Sequence, residues 1–223
     1  MKVQPGQTIA RWLLATGAIG VSSTTPFRLR SGWASPVYVD IRKTLSNVQA
    51  RDAIVAAALA LVEDEGLLPD IDVVVGAEVS GIPIATLLAD RLKLPLQFAR
   101  KKALGFGKNA QLEGTVVPNA RALLVDDLLT DGRSKENFCS AIRAAGQRVE
   151  HVLTVFDYQV FRPHLASVLD ARVYHLCTWD DILQEARTSK TLSGSEVNLI
   201  ENFLSDAAGW SAHHSGIKEL TTP

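Results

Sequence analysis

Apolar side chains recur along this chain at two spacings, that of helices and that of strands. Residues 7–16 carry them at helical spacing, and so do residues 47–65, where Asn47 is a suitable N-cap and Gly66 ends the helix. Residues 71–76 instead form a short β-branched run, which is typical of a strand buried on both faces. The pattern therefore predicts helices and buried strands within one chain.

Strands and helices alternate from about residue 47 to about residue 187. The predicted strands are residues 71–76, 96–99, 121–127, 148–156 and 172–177. The predicted helices are residues 81–92, 135–145 and 178–187, and a last amphipathic helix follows a capping box that begins at Ser193. This alternation predicts an α/β fold with a mostly parallel sheet flanked by helices.

The N-terminal part of the chain has a different pattern. Residues 27–32 and 35–41 alternate between apolar and polar side chains, which predicts a small antiparallel accessory layer that we call the hood. We divide the chain into the hood segment (1–46), the α/β core (47–190) and a C-terminal helix with a tail (191–223), all parts of one structural domain. The tail from Ser211 is polar, and we expect it to be loose.

Composition and charge exclude several classes of function. The chain is 47% hydrophobic and 21% charged, and its formal net charge is -1, so binding to nucleic acid or to a membrane surface is not expected. Its two cysteines, Cys139 and Cys177, lie in apolar surroundings and are expected to be buried thiols. No signal-peptide pattern or membrane-length apolar run occurs, and we expect a cytoplasmic location.

Candidate chemistry begins where the strand 121–127 ends. Asp126 and Asp127 are followed by a Thr/Asp/Gly/Ser turn, residues 130–134, and then by a helix. Backbone N–H groups and the positive end of a helix dipole form a phosphate cradle in such a turn. Carboxylates at its rim can accept hydrogen bonds from sugar hydroxyls or act through Mg²⁺. The segment fits a phosphorylated sugar, although an ordinary strand-to-helix turn would have a similar pattern.

Two further features are expected at the same edge of the sheet, because the carboxyl ends of parallel strands lie together there. One is the turn 76–80 after the strand 71–76. The other is the basic, glycine-containing stretch 100–111, which has no core pattern. A loop of this length is usually functional, and a solvated surface loop is the alternative. Together with the cradle, they favour a binding site for a phosphorylated ligand.

The central stretch, residues 123–132, resembles the phosphoribosyl-diphosphate (PRPP) binding motif of type I phosphoribosyltransferases. Other landmarks follow the order found in orotate phosphoribosyltransferases, and they are residues 27–32, 35–38, 81–85, 100–102, 105–107 and 113–114. The resemblance spans roughly residues 27–157. Residues 175–179 and the C-terminal helix are similar to a bacterial subgroup of these enzymes.

This resemblance implies the type I phosphoribosyltransferase fold and the transfer of phosphoribosyl from PRPP to orotate, giving orotidine 5′-phosphate and pyrophosphate. It implies Lys101, Asp126 and Asp127 as catalytic residues. The implied substrate-binding residues are Arg30, Tyr38, Val79, Ser80, Arg100, Lys101, Lys102, Thr130, Asp131, Gly132, Arg133 and Ser134.

The resemblance also assigns roles within this set. Asp126 and Asp127 would hold the ribose hydroxyls, and the turn 130–134 would cradle the 5′-phosphate. Arg100 and Lys101 would neutralise the diphosphate with Mg²⁺, the expected cofactor, which is held mainly through PRPP near the two acids. Tyr38 would line the base. The loop 101–114 would serve the neighbouring subunit, which implies a homodimer.

Five positions depart from the family's usual pattern, and they are Ser80, Leu104, Phe106, Arg133 and Tyr158. Leu104 stands where a loop lysine is usual and Arg133 where a small residue is usual, while Tyr158 falls where many members have an arginine that faces orotate. Three hypotheses therefore stay open: an orotate phosphoribosyltransferase, a phosphoribosyltransferase for another base, and a non-catalytic relative that binds PRPP or a nucleotide.

Overall fold

A computed structural model describes residues 5–29, 31–103, 111–160 and 169–218. Its strands are β1 (Ile19–Val21), β2 (Phe27–Arg28), β3 (Ala34–Ser35), β4 (Val37–Val39), β5 (Val73–Ala77), β6 (Leu96–Ala99), β7 (Leu112–Glu113), β8 (Arg121–Leu129), β9 (Arg148–Asp157) and β10 (Arg172–Thr178). Its helices are α1 (Pro5–Ala15), α2 (Arg42–Leu45), α3 (Val48–Asp64), α4 (Gly81–Leu92), α5 (Arg133–Ala144), α6 (Trp179–Ser189), α7 (Gly194–Ser205) and α8 (Ala207–His213), with a 3₁₀ turn at Leu68–Asp70.

Six strands form the central sheet in the order β10-β9-β8-β5-β6-β7. All neighbouring strands run parallel except β6 and β7, which are antiparallel. This arrangement confirms the predicted α/β fold with a mostly parallel sheet. The chain leaves β5 for β6 on one side and later returns to β8 on the other, so a crevice opens beyond the carboxyl ends of β5 and β8.

Each face of the sheet is covered by its own hydrophobic cluster. Val74 and Leu123 point into a large cluster with α1, α3, α4, α6 and α7, whereas Val75 and Leu124 point into a smaller one with α5. Successive side chains of a strand point to opposite faces, so the buried apolar runs of the strands supply both clusters at once. The sheet is therefore a rigid support for whatever lies at its edge.

The hood consists of two small antiparallel ribbons, one pairing β2 with β3 and the other pairing β1 with β4. The sequence predicted the antiparallel layer but not β1, because Gly17 and Gly20 were interpreted as a break after the first helix. The first helix does not belong to the hood. Its side chains Ile9 and Leu13 are fully buried in the large cluster, where α1 packs against β10, α3 and α6.

The C-terminal part packs against the hood, so the prediction of a loose tail from Ser211 is wrong for residues 211–218. The Ser211 hydroxyl is fully buried, accepts a hydrogen bond from the Ala34 N–H (3.0 Å) and donates one to the Ile217 carbonyl (2.6 Å). The Ile217 N–H in turn donates to the Gly32 carbonyl at 3.2 Å. Polar composition was misleading here because these polar groups satisfy each other inside the fold.

None of the described helices combines the length and apolar character needed to cross a membrane. Cys139 and Cys177 are both free and buried, as predicted. Burial raises the pKa of the Cys139 thiol to about 11. The thiol is therefore uncharged and unreactive at neutral pH.

Candidate functional site

A cleft of about 650 Å³ lies beyond the carboxyl ends of β5 and β8 and is closed on one side by the hood. Most of the predicted site residues line it, and they are Tyr38, Ser80, Lys101, Asp126, Asp127, Thr130, Asp131, Arg133 and Ser134. Val79, Arg100, Lys102 and Gly132 are not among the lining residues. Arg30 and residues 104–110, which include Leu104 and Phe106, lie outside the described residues.

The two acids lie inside β8, which continues to Leu129, so the predicted end of this strand at the acids is wrong. The side chain of Asp126 is 8% exposed, and its Oδ2 lies 2.5 Å from the Nζ of Lys135. Its Oδ1 accepts the N–H of Asp127 at 2.9 Å. Both carboxylate oxygens of Asp126 therefore have partners within the protein.

Gly81 allows α4 to approach these acids closely. A Cβ atom at this position would lie 2.3 Å from the Val125 carbonyl oxygen and 2.9 Å from the Cα of Asp126. Such distances are too short for any other residue, so glycine is required where the first turn of α4 meets β8. The preceding turn contains Ser80, at the N-cap position of α4, and a cis peptide bond between Glu78 and Val79.

Asp127 has a carboxyl group that is unusually easy to protonate. Burial, followed by the neighbouring charge of Asp126, raises its pKa to about 6. Lys135 and a hydrogen bond from the Ser80 hydroxyl act in the opposite direction. Both acids line the cleft, but the Asp127 side chain is partly exposed whereas that of Asp126 is buried. Asp127 is therefore the acid that is more accessible to a ligand.

The turn 130–134 leads into α5 through Gly132, whose φ of 84° is in the left-handed region. The first N–H groups of α5 lack intrahelical partners and carry the positive end of the helix dipole. Thr130 and Ser134 add hydroxyl groups to the same wall of the cleft. This turn can therefore bind an anion such as a phosphate.

Arg133 bends back toward the hood. Its backbone N–H donates to Asp131 Oδ1 at 3.2 Å, its Nε donates to Asp131 Oδ2 at 3.2 Å, and a terminal nitrogen donates to the Ser31 carbonyl at 2.9 Å. The guanidinium thus connects the turn to the hood.

The basic loop begins next to the cleft. The Lys101 N–H donates to Glu78 Oε2 at 2.7 Å, and Asn137 donates to the Lys101 carbonyl at 3.0 Å. The exposed Lys101 side chain lines the cleft, whereas the Nε of Arg100 pairs with Glu113 Oε1 at 2.7 Å. The structure therefore brings Lys101 to the site and leaves Arg100 neutralised beside it.

The hood supplies cleft residues that the sequence analysis missed, namely Arg28, Asp40 and Arg42. Asp40 and Arg42 form a two-point ion pair at 2.6 and 3.0 Å, and the Arg42 hydrogen bond lowers the pKa of Asp40. A terminal nitrogen of Arg28 donates to the His214 carbonyl at 2.9 Å. The sequence signal for the Asp40–Arg42 pair was an aspartate followed two positions later by an arginine, but so short a motif does not by itself indicate a site.

Lys135, Glu78 and Asn137 were missed as well. The available signal for Lys135 was a lysine in the first turn of a predicted helix, where the helix dipole disfavours a cation. Tyr158 is fully buried and packs edge-to-face against Phe156 and Trp179, so it is a core residue and not part of the described cleft lining.

Comparison with known proteins gives a consistent result. Residues 43–188 match the model of the phosphoribosyl transferase domain family. An orotate phosphoribosyltransferase of Agrobacterium fabrum is 39% identical over 216 residues, or 96% of this chain and 93% of that protein.

Two solved structures are similar to this one in fold. That of an orotate phosphoribosyltransferase from Aeropyrum pernix is 28% identical with a TM-score of 0.69, covering 81% of this chain and 98% of that chain. That of an orotate phosphoribosyltransferase from Mycobacterium tuberculosis in complex with PRPP is 23% identical with a TM-score of 0.59, covering 80% of this chain and 98% of that chain.

Proposed function

Because the chain belongs to the phosphoribosyltransferase family, as an orotate phosphoribosyltransferase of pyrimidine biosynthesis, we propose that its cleft binds PRPP and orotate side by side. The enzyme transfers the phosphoribosyl group from PRPP to orotate, with pyrophosphate as the leaving group. One observation carries the assignment of the cleft: it combines an accessible carboxylate, Asp127, with an anion-binding turn at the switch point of the sheet.

The turn 130–134 binds the 5′-phosphate in this proposal. The positive end of the α5 dipole begins at this turn, and the hydroxyls of Thr130 and Ser134 lie on the wall of the cleft. The Arg133 guanidinium pairs with Asp131, whose carboxylate also accepts the Arg133 N–H, and it donates to the Ser31 carbonyl of the hood. It is therefore held beside the turn and against the hood.

The acids of β8 receive the ribose. An ionised Asp127 accepts hydrogen bonds from the ribose hydroxyls and so orients the anomeric carbon toward the base. Little covalent work is left to the protein in this reaction, so positioning and charge stabilisation dominate the rate.

The diphosphate lies near Lys101, whose exposed side chain extends from the base of the basic loop. Mg²⁺ would enter this site with the diphosphate, whose oxygens would be its main ligands, near the carboxylate of Asp127. When bound, the ion supplies positive charge that stabilises the leaving diphosphate.

Orotate lies on the hood side of the cleft, where the Tyr38 side chain is 37% exposed and packs against Phe27 with ring centroids 5.7 Å apart. The carboxylate of orotate needs a cation. On the hood side of the described cleft, Arg42 is already paired with the Asp40 carboxylate, whereas Arg28 donates to the neutral carbonyl of His214. We assign Arg28 to the orotate carboxylate.

A homodimer in which the loop 101–114 closes over the neighbouring site is part of the proposal. Lys101, the first residue of this loop, lines the cleft. Residues 104–110 of that loop lie outside the described residues. The cytoplasmic location stays a prediction.

An assay of orotate absorbance with PRPP and Mg²⁺ tests the proposal. The wild-type chain is expected to consume orotate only when PRPP is present. Asp127→Asn is expected to lower kcat/KM for PRPP by about 100-fold or more, the scale of losing one well-placed contact to the reacting group. Asp90→Asn is the matched control, since Asp90 is exposed on α4 and pairs with Lys93 at 3.2 Å.

Turnover of another base in place of orotate would overturn the base assignment. An equal loss of activity in the Asp127 and Asp90 variants would overturn the assignment of the cleft.

A further inference from the structure

Lys135 is a buried cation that no step of the proposed reaction uses. Its side chain is 4% exposed, although an ammonium group loses much hydration when it is buried. It also lies in the first turn of α5, where the positive end of the helix dipole disfavours a cation. A lysine held against both effects must be compensated by strong local contacts.

Those contacts account for all three ammonium hydrogens. The Nζ of Lys135 lies 2.5 Å from Asp126 Oδ2, donates to the Leu128 carbonyl, and donates to the Ser134 hydroxyl at 3.2 Å. An ammonium group has three donors and no acceptor. Lys135 therefore has no donor left for a ligand, and it can affect the reaction only through the groups it holds.

Asp126 is the group most affected. Its Oδ2 pairs with Lys135 and its Oδ1 accepts the Asp127 N–H, so both of its oxygens have partners in the protein. Both acids line the cleft, but Asp127 differs from Asp126 because its side chain is partly exposed, whereas that of Asp126 is buried. Two adjacent acids of identical chemistry thus have unequal access to a ligand.

We propose that Lys135 is a positioning residue that holds Asp126 as a buried counter-ion and leaves Asp127 as the carboxylate that contacts the ribose hydroxyls of PRPP. The inference rests on the proposed function and adds a division of roles within the acidic pair. Asp126 fixes the backbone of β8 beside the cleft through Lys135 and the Asp127 N–H, and Asp127 binds the substrate.

Steady-state kinetics of Lys135→Met, Lys135→Arg, Asp126→Asn and the double variant Lys135→Met/Asp126→Asn test this proposal. Lys135→Met is expected to raise KM for PRPP by about 10-fold or more, because an uncompensated Asp126 displaces Asp127. KM for orotate at saturating PRPP is expected to change by less than about twofold, since orotate contacts the hood. Lys135→Arg keeps the charge and is expected to restore part of the PRPP affinity.

The double variant keeps the test independent of misfolding. Removing one partner of a buried pair leaves a lone charge, whereas removing both is often nearly neutral for stability. The double variant is therefore expected to be more stable to urea than Lys135→Met, with kcat/KM for PRPP no lower than that of Lys135→Met. The control is Lys93→Met, at an exposed lysine of α4 whose loss is expected to change neither KM value.

Additive losses in the double variant would overturn the proposal, since they would mean that Lys135 and Asp126 act separately. Equal increases in both KM values for Lys135→Met would also overturn it, because a purely structural role affects both substrates. Failure of the proposed function is distinguishable, because the wild-type chain would then lack turnover. Even then, the free energies of unfolding in urea would show whether Lys135→Met and Asp126→Asn are coupled, and so whether the buried pair exists.

Discussion

At the scale of the single residue, the carboxyl groups of β8 illustrate how neighbours determine chemistry. Asp126 and Asp127 are adjacent in sequence and both line the cleft, yet Asp126 is buried against Lys135 whereas Asp127 is partly exposed. Burial and the charge of Asp126 raise the pKa of Asp127 to about 6, compared with about 3.9 for a free aspartate. Asp127 therefore changes its charge close to neutral pH.

PRPP affinity is expected to fall as the pH drops through about 6, because only the ionised Asp127 carboxylate is a pure hydrogen-bond acceptor. In Asp126→Asn the midpoint of this fall is expected at lower pH, since the neighbouring negative charge is lost. Isothermal titration with PRPP between pH 5 and pH 8 in the absence of metal measures both midpoints. A midpoint that stays in place in Asp126→Asn would contradict this cause of the shift.

The same shift has an opposite consequence for folding. The folded pKa of Asp127 lies above its unfolded value, so the folded state binds the proton more tightly than the unfolded chain. The contribution of Asp127 to the free energy of unfolding is therefore largest at low pH, and it decreases as the pH rises from about 4 to about 6. Ionised Asp127 is useful for binding but costs stability.

The sequence predicted the site residues that belong to one short stretch and missed those that depend on pairing. Asp126, Asp127 and the turn 130–134 were visible because a strand, acids and a glycine turn follow each other directly. The roles of Lys135 and Arg28 depend on partners brought close only by folding, such as the His214 carbonyl. The resemblance implied Arg100 at the diphosphate, but its guanidinium pairs with Glu113 in the structure.

At the scale of the element, the position of the acids depends on how closely α4 packs against β8. Gly81 has no side chain, and its Cα faces the carbonyl of Val125 and the backbone of Asp126. Helix α4 begins there directly after Ser80, whose hydroxyl lowers the pKa of Asp127. One close approach therefore positions both the strand and the hydroxyl that supports its acid.

Gly81→Ala is expected to lower the free energy of unfolding by about 1–3 kcal/mol, because the added methyl group overlaps the β8 backbone. It is also expected to raise KM for PRPP, since α4 must move away from Asp127. Urea unfolding and steady-state kinetics measure the two effects. Gly194→Ala is the matched control, because a Cβ there meets nothing within 4 Å.

If Gly81→Ala is as stable and active as Gly194→Ala, the close packing of α4 on β8 does not position the site.

The sequence predicted helices and strands well wherever one spacing of apolar side chains dominated a segment. The apolar runs of β5 and β8 and the caps at Asn47 and Ser193 gave strands and helices close to those observed. The prediction missed β1, because this short strand forms through its pairing with β4, which its glycine-containing sequence does not indicate. It also ended β8 at the acids, because the interior of this strand contains charges that are stabilised by tertiary contacts.

At the scale of the whole molecule, the hood is connected to the C-terminal part of the chain. Ser211 binds the backbone of Ala34, Ile217 binds that of Gly32, and Arg28 binds the carbonyl of His214. Arg133 connects the other side of the hood to the turn at α5 through Ser31. The hood is thus held from two sides, which positions Arg28 and Tyr38 over the cleft.

Ser211→Ala is expected to lower the free energy of unfolding by about 1–3 kcal/mol, because it leaves the buried N–H of Ala34 without its acceptor. KM for orotate is expected to rise more than KM for PRPP, since the hood carries the base side of the cleft. Thermal unfolding and kinetics measure both. Ser205→Ala is the control, as Ser205 is exposed and donates locally to Asn202.

If Ser211→Ala is destabilised but its KM for orotate is unchanged, the contact stabilises the fold without positioning the hood over the cleft.

The contact between Arg28 and His214 joins residues 186 positions apart, and that between Ala34 and Ser211 joins residues 177 apart. Contacts between such distant segments are slow to form, because the chain loses loop entropy before they become favourable. The sheet is built mainly from pairings nearer in sequence and can form earlier. A refolding molecule would therefore acquire its secondary structure first and its catalytic competence later, when the hood is finally closed.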